Sequence, residues 1–209
     1  MTMGLIQLLF RDPLSFFLLA IPLMYSIILH ELAHGWVASR MGDPTAKWLG
    51  RLSLDPRKHL DPFGTVALLI FGFGWAKPVP VNYQNFYDLK KGMIFVSSAG
   101  IVTNTILAFL ALLVMRLTEQ FEMGSFQLLL YYMARVNIML AAFNLIPIPP
   151  LDGSKILMGF LPAGYRNSLE RMEPYGLFII LGLLYLGILN PVIHSFQKGI
   201  LILIRLFIP

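Results

Sequence analysis

Residues 30–34 read His-Glu-Leu-Ala-His, a pattern in which two imidazoles and one carboxylate could serve a single metal ion. Residues four apart lie on the same face of an α-helix, so His30 and His34 can reach one cation. Glu31 then lies beside the metal, where its carboxylate can accept a proton from an attacking water molecule. On a soluble helix the same pattern is more often a solvated face, so its surroundings decide between the two interpretations.

The residues before this motif favour the metal interpretation. Phe16–Leu29 contain no charged side chain, so the motif ends a run that is apolar enough to enter a lipid bilayer. An ionisable group within such a run costs about 3 kcal/mol unless it is paired, binds a metal or faces water. A metal ion would satisfy both histidines at once, and a metal site is therefore the preferred interpretation.

A catalytic zinc ion usually has three protein ligands and one open position. The chain contains no cysteine, so the third ligand must be His, Asp or Glu. Most acidic residues stand in polar loops, whereas Asp152 directly follows an apolar span and the rigid stretch Pro147–Pro150. The sequence thus favours Asp152 as the third ligand, with a simple turn at Asp152-Gly153 as the alternative.

Two asparagines are weaker site candidates. Asn144 precedes the loop that carries Asp152, and Asn104 lies within the second predicted span. Either amide could hydrogen-bond the backbone of a substrate or a developing oxyanion. Hydrogen bonding between helices in lipid is an equally good interpretation.

The composition places these residues in a membrane protein. The chain has 209 residues, of which 57% are hydrophobic and 13% charged, and its mean hydropathy is +0.72. Soluble domains carry about 25% charged residues. The predicted fold is an α-helical polytopic membrane protein with about five or six short transmembrane helices. We expect one domain over residues 1–209, with a catalytic core at about 14–160 and C-terminal helices at about 174–208.

The region between the first and second spans predicts a different kind of structure. Lys47–Leu54 and the proline-rich Pro78–Tyr83 favour a small membrane-associated β element. Phe63–Ala76 is apolar, but it is too short to cross a bilayer as a helix and is interrupted by glycines. A helix needs about 20 residues to span, so this segment predicts a re-entrant hairpin.

The charge distribution predicts the orientation. The net charge is +5, and most of the 16 Lys and Arg residues fall in three loops that lie on one face if the hairpin is re-entrant. The positive-inside rule makes that face cytoplasmic, and a role in nucleic-acid binding is not needed to explain the charge. We expect a multi-pass protein in the cell membrane of a prokaryote, with the site nearer the cytoplasm.

Several stretches together resemble the site-2 protease family of intramembrane zinc metalloproteases. They are HELAHG, NLIPIPPLDG, GDPTAKWLGRLSLDPRKHLDPFGT and WAKPVPVNY. The resemblance implies a three-helix catalytic core, one zinc ion on His30, His34 and Asp152, and Glu31 as the base. It also implies a small sheet over Met41–Tyr83 and cleavage of a transmembrane segment near the cytoplasmic face. The PDZ-like insertion and the nucleotide-binding tail of some members are not found in this sequence.

The predicted function is hydrolysis of peptide bonds in the transmembrane segments of membrane proteins within the lipid bilayer. The alternative is a zinc-binding transporter or metal sensor without proteolytic activity, which would also need polar ligands in a span. A single visible ligand cluster, and a glutamate placed to act as a base, favour the protease. The sequence leaves the oligomeric state open.

Overall fold

The computed structural model of the chain describes residues 5–72, 74–118, 120 and 124–208. Ten α-helices follow one another along these residues: α1 Leu5–Arg11, α2 Pro13–Arg40, α3 Thr45–Trp48, α4 Pro62–Phe71, α5 Leu89–Leu117, α6 Ser125–Asn144, α7 Asp152–Phe160, α8 Ala163–Glu170, α9 Glu173–Tyr185 and α10 Asn190–Arg205. Short 3₁₀ turns cover Pro56–Lys58 and Tyr83–Asn85.

Three long helices form the centre of the fold. Within the described residues, α2, α5 and α6 are long and apolar enough to cross a membrane, and each of the three packs against the other two. Helix α2 begins where Pro13 occupies the first turn and the Asp12 carboxylate accepts a hydrogen bond from the Ser15 N–H. Both features are typical helix starts.

The predicted five or six spans are wrong. The described residues contain three candidate spans, or up to four if α9 and α10 are counted as one bent span. Those two helices have 13 and 16 residues and meet at an angle of 93°. Gly187, in the left-handed region at φ 72°, lies in the turn between them. The sequence predicted two short helices or one helix kinked near Pro191 in this region, and the bend lies just before that proline, which is in the first turn of α10.

The predicted β element is also wrong, since the described part of the chain contains no strand and only an isolated bridge between Leu60 and Ala76. Pro78 and Pro80 lack the N–H groups that a neighbouring strand would require. Side chains bind several of the groups that remain: the Arg51 guanidinium donates to the carbonyls of Lys77 and Pro78 at 3.0 and 3.1 Å. The extended segment is therefore held by side chains instead of a ladder.

The glycine-rich segment forms a short helical hairpin. Helix α4 begins at Pro62, where the Asp61 carboxylate accepts from the Gly64 N–H at 2.8 Å, and ends at Phe71 before Gly72, which is left-handed. The Lys77 N–H then donates to the His59 carbonyl at 2.8 Å, so the chain returns to its starting point. The prediction that no continuous spanning helix runs from Phe63 to Ala76 is confirmed, although Phe73 itself lies outside the described residues.

Candidate metal centre

Helix α2 presents His30, Glu31 and His34 together. Each offers a ligand atom, and these atoms lie within 4.8 Å of one another. Both histidines are buried, while Glu31 is partly exposed. The i, i+4 spacing places the two imidazoles on the face of α2 that packs against α5.

One stripe of α5 holds both imidazoles in place. The Val96 carbonyl accepts a hydrogen bond from His34 Nδ1 at 2.7 Å, and Asn104 Oδ1 pairs with His30 Nδ1. Gly100 lies between these two positions, and a Cβ there would collide with the His30 ring. Residues 96, 100 and 104 are spaced four apart, so a single helix face orients both histidines.

The third predicted ligand comes from a different part of the chain. Asp152 is the first residue of α7, after a loop that leaves the end of α6. Gly153 lets α7 begin directly against α6, because a Cβ there would collide with the Leu145 carbonyl. Asp152 Oδ2 lies 3.1 Å from His30 Nε2 and 3.2 Å from His34 Nε2. The structure thus brings together the three side chains that the sequence predicted as ligands.

The donor set fits a metal cation. A carbonyl oxygen can only accept, so the bond to Val96 means that His34 Nδ1 carries a proton and a neutral ring has a lone pair on Nε2. His30 Nε2 and Asp152 Oδ2 point to the same place, and Asp152 Oδ2 is buried without a hydrogen-bond partner among the described residues. Buried polar atoms are seldom left unsatisfied. Two imidazoles and one carboxylate are the ligand types that zinc takes in catalytic sites.

Glu31 faces a cavity of about 330 Å³ that these side chains line. Its Oε2 accepts a hydrogen bond of 2.7 Å from the Val79 N–H. Asn144 also lines this cavity, and its Nδ2 donates to the Leu140 carbonyl at 3.0 Å. Asn104 does not line the cavity and is completely buried, so it corresponds to the alternative of hydrogen bonding between helices.

Lys155 and Tyr83 also line this cavity, although neither was predicted as a site residue. Burial lowers the pKa of Lys155, but the nearby Tyr83, Asp152 and Glu173 outweigh burial and raise the pKa above its usual value. Burial also raises the pKa of the Tyr83 phenol. The cavity therefore contains a charged ammonium beside a neutral phenol. The i, i+3 spacing of Asp152 and Lys155 on one helix was a signal that could have identified the lysine.

The glycine after the second histidine has a structural reason. A Cβ at Gly35 would lie closer than van der Waals contact to the side chains of Leu52, Val79 and Ala46, at 2.5, 2.9 and 3.1 Å. Gly35 thereby lets the loop around Val79 pack directly on α2. This close packing brings the Val79 N–H to Glu31.

Comparison with known proteins identifies the class to which this arrangement belongs. The sequence profile described as "Peptidase family M50" matches residues 114–187. The protein named "Putative zinc metalloprotease YwhC" of Bacillus subtilis is 43% identical over 195 residues, covering 88% of this chain and 89% of that protein. The chain therefore belongs to peptidase family M50, the site-2 protease family of zinc metalloproteases.

More distant relatives have the same type of name. "Zinc metalloprotease MJ0392" of Methanocaldococcus jannaschii is 30% identical over 192 residues, covering 91% of this chain and 47% of that protein. "Putative zinc metalloprotease Rip2" of Mycolicibacterium smegmatis is 30% identical over 171 residues, covering 80% of this chain and 66% of that protein. No solved structure shows a significant match.

Proposed function

We propose that this chain is an intramembrane protease in which His30, His34 and Asp152 hold one zinc ion and Glu31 is the general base. The observation that supports this proposal is the approach of both Nε2 atoms to the same Asp152 oxygen, at 3.1 and 3.2 Å. A bound zinc ion would supply a Lewis acid that polarises the scissile carbonyl and acidifies water.

The chain's own groups carry the remaining steps. Glu31 takes a proton from the attacking water and delivers it to the leaving amine. The Asn144 side chain, on the wall of the same cavity, hydrogen-bonds the substrate backbone. The Lys155 ammonium, which is the only lysine or arginine in the lining formed by described residues, stabilises negative charge that develops on the substrate carbonyl oxygen.

The proposed substrate is a membrane protein that is cut within a transmembrane segment. A helical substrate must unwind locally, since the carbonyls of a helix are used in its own hydrogen bonds. Cleavage is proposed near the cytoplasmic face, because the loop that follows α2 is rich in basic residues and His34 stands six residues, or about 9 Å, before the end of α2 at Arg40. We propose that the whole chain acts as one domain.

A reconstituted cleavage assay tests this function. A single-span substrate with different tags at its two ends is incubated in vesicles with wild type or Glu31→Gln, and zinc is measured in the same preparations. We expect the variant to keep its zinc and to lose cleavage by about 10²–10⁴-fold, since an amide cannot accept the proton. Mass spectrometry of the products should locate the cut near the cytoplasmic end of the span.

Two results would contradict the proposal in different ways. Normal cleavage by Glu31→Gln would show that another group is the base. Zinc-loaded wild type that cleaves no membrane substrate would favour a transporter or a metal sensor.

A further inference from the structure

A chain of buried hydrogen bonds leads from the proposed zinc ligand His30 into the centre of the helix bundle. His30 Nδ1 pairs with Asn104 Oδ1, and Asn104 Nδ2 donates to Asn137 Oδ1 at 2.8 Å. Asn137 Nδ2 donates to Ser26 Oγ and to the Met133 carbonyl, both at 2.8 Å. Asn104 and Asn137 are fully buried and Ser26 is 2% exposed. The network joins α2, α5 and α6.

The donor and acceptor of each bond can be assigned, because backbone carbonyl groups in the network can only accept a hydrogen bond. The Met133 carbonyl can only accept, so the amide nitrogen of Asn137 must face it, and Oδ1 of Asn137 must face Asn104. Asn104 then presents its nitrogen to Asn137 and its oxygen to His30. The Ser26 carbonyl, 3.5 Å from Asn104 Nδ2, favours the same orientation. Each amide can fill its place in one orientation, since a flipped amide would face an acceptor with an oxygen.

This direction decides the tautomer of His30. An oxygen of Asn104 facing Nδ1 requires the proton to be on Nδ1, which leaves the lone pair of a neutral ring on Nε2. Nε2 is the atom that lies 3.1 Å from Asp152 Oδ2. A neutral imidazole binds a metal through its unprotonated nitrogen, so the ring is prepared for a metal before any metal arrives.

We infer that Asn104 is a positioning residue for His30, and that Asn137 and Ser26 act through Asn104 to hold the metal-binding tautomer and ring orientation. This inference rests on the proposed function of His30 as a ligand. Asn104 is thus assigned to the ligand and not to the substrate. Helix α6 also leads into the loop that precedes Asp152. The network therefore connects the helix that carries His30 with the segment that positions Asp152.

Substitutions at Asn104 can distinguish a positioning role for His30 from a role in helix packing alone, because the two roles predict different changes in zinc affinity. Leucine and aspartate have the same branched shape and number of side-chain heavy atoms as asparagine, but only aspartate retains an oxygen for His30 Nδ1. Groups that orient metal ligands typically change metal affinity by about 10–100-fold when they are removed. We expect Asn104→Leu to weaken zinc binding by about 10–100-fold. Asn137→Leu and Asn104→Asp should weaken it by less, since aspartate keeps the oxygen that faces His30 but cannot donate to Asn137 Oδ1.

The experiment uses full-length protein in detergent and measures two quantities. The zinc dissociation constant is obtained by competition with a chelator. The tautomer is read from ¹⁵N NMR of zinc-free protein labelled at the histidine rings, and the four histidines are assigned by single substitutions. Thr105→Val is the matched control, because the Thr105 hydroxyl bonds only locally to the Ile101 carbonyl at 2.9 Å.

Wild type and Asn104→Asp should show the proton of His30 on Nδ1, and the two leucine variants should show a mixture of tautomers. If Asn104→Leu fails to fold, Asn137→Leu, which does not touch His30, decides the question. Folded leucine variants with an unchanged tautomer and unchanged zinc affinity would overturn the inference. A failure of the proposed ligand set would give a different result, because His30→Ala would then bind zinc as tightly as wild type. The tautomer of His30 in zinc-free protein would still test the role of Asn104 in that case.

Discussion

The backbone N–H of Val79 donates a hydrogen bond of 2.7 Å to the carboxylate of Glu31, 48 residues earlier in the chain. A loop outside the three long helices therefore touches the proposed base directly. One oxygen of Glu31 accepts this bond, and the other remains available to accept a proton from water in the cavity. The bond restricts rotation of the carboxylate, which is a means of holding a base in a productive position.

Removing the donor at Val79 should slow catalysis without removing the metal. Val79→Pro deletes the N–H, so the Glu31 carboxylate is free to rotate, and misplacement of a catalytic group by about 1 Å can reduce a rate by about 100-fold. We expect reduced cleavage and unchanged zinc content. Val79→Ala, which retains the N–H, is the matched control and should cleave nearly as well as wild type. Faster cleavage by Val79→Pro would mean that the loop obstructs the site.

The metal content of purified protein should follow the three proposed ligands. Wild type is expected to hold about one zinc ion per chain, and His30→Ala or Asp152→Ala should lose most of it, since a catalytic zinc site has few protein ligands to spare. His194→Ala is the control, because His194 is exposed on α10 and pairs with Gln197. Elemental analysis checks this prediction, and equal zinc in all four proteins would reject the ligand set.

Asp43 should make the stability of the fold sensitive to acid. Its buried carboxylate accepts hydrogen bonds from Asn82 N–H, from the Asn85 amide, and from both the N–H and hydroxyl of Thr45. Burial alone would raise the pKa of Asp43, but these hydrogen bonds outweigh it and lower the pKa below its usual value. Asp43 therefore stabilises the fold above the pKa of the unfolded chain, and this contribution is lost as pH falls through the folded-state pKa.

The test compares thermal unfolding of wild type and Asp43→Asn in detergent between about pH 3 and pH 7, which brackets the ordinary aspartate pKa of about 3.9. Asn cannot satisfy all four donors as an acceptor, so the free energy of unfolding at pH 7 should fall by about 1–3 kcal/mol. The difference between the two proteins should shrink toward pH 3. Asp88→Asn is the control, because Asp88 caps α5 at the surface and asparagine caps equally well. A difference that does not depend on pH would contradict the prediction.

Residue spacing predicted the pair of histidines, and the position of Asp152 after an apolar span, together with the family resemblance, added the side chain that meets them. His30 and His34 are adjacent by helical geometry alone, and the prolines before Asp152 limit where that carboxylate can lie. The contact between Glu31 and Val79 could not be predicted in this way, because a backbone N–H belongs to every residue except proline. The β element was wrong for a related reason: extended sequence patterns do not reveal that side chains, and not a second strand, will satisfy the backbone.

The hairpin formed by α4 is closed by small residues. A Cβ at Gly74 would collide with the Gly64 carbonyl, and a Cβ at Gly64 would collide with the Trp75 carbonyl. The two arms therefore touch through backbone atoms, and α4 also packs against α1. Helix α1 in turn packs against α2, which carries the proposed metal ligands, so we expect the hairpin to affect how a membrane substrate reaches the site.

Gly74→Leu should open this hairpin, because an overpacked contact costs about 1–3 kcal/mol. We expect cleavage of a full single-span substrate to fall more than cleavage of a short peptide that covers the same scissile bond, while zinc content is unchanged. The reason is that only the long substrate must pass the hairpin to reach the cavity. Gly182→Leu on α9 is the matched control, since no atom of the described residues lies within 4 Å of a Cβ added there. Equal cleavage of the single-span substrate by Gly74→Leu and wild type would show that the hairpin does not control entry, and parallel loss of zinc would show that the substitution damages the site itself.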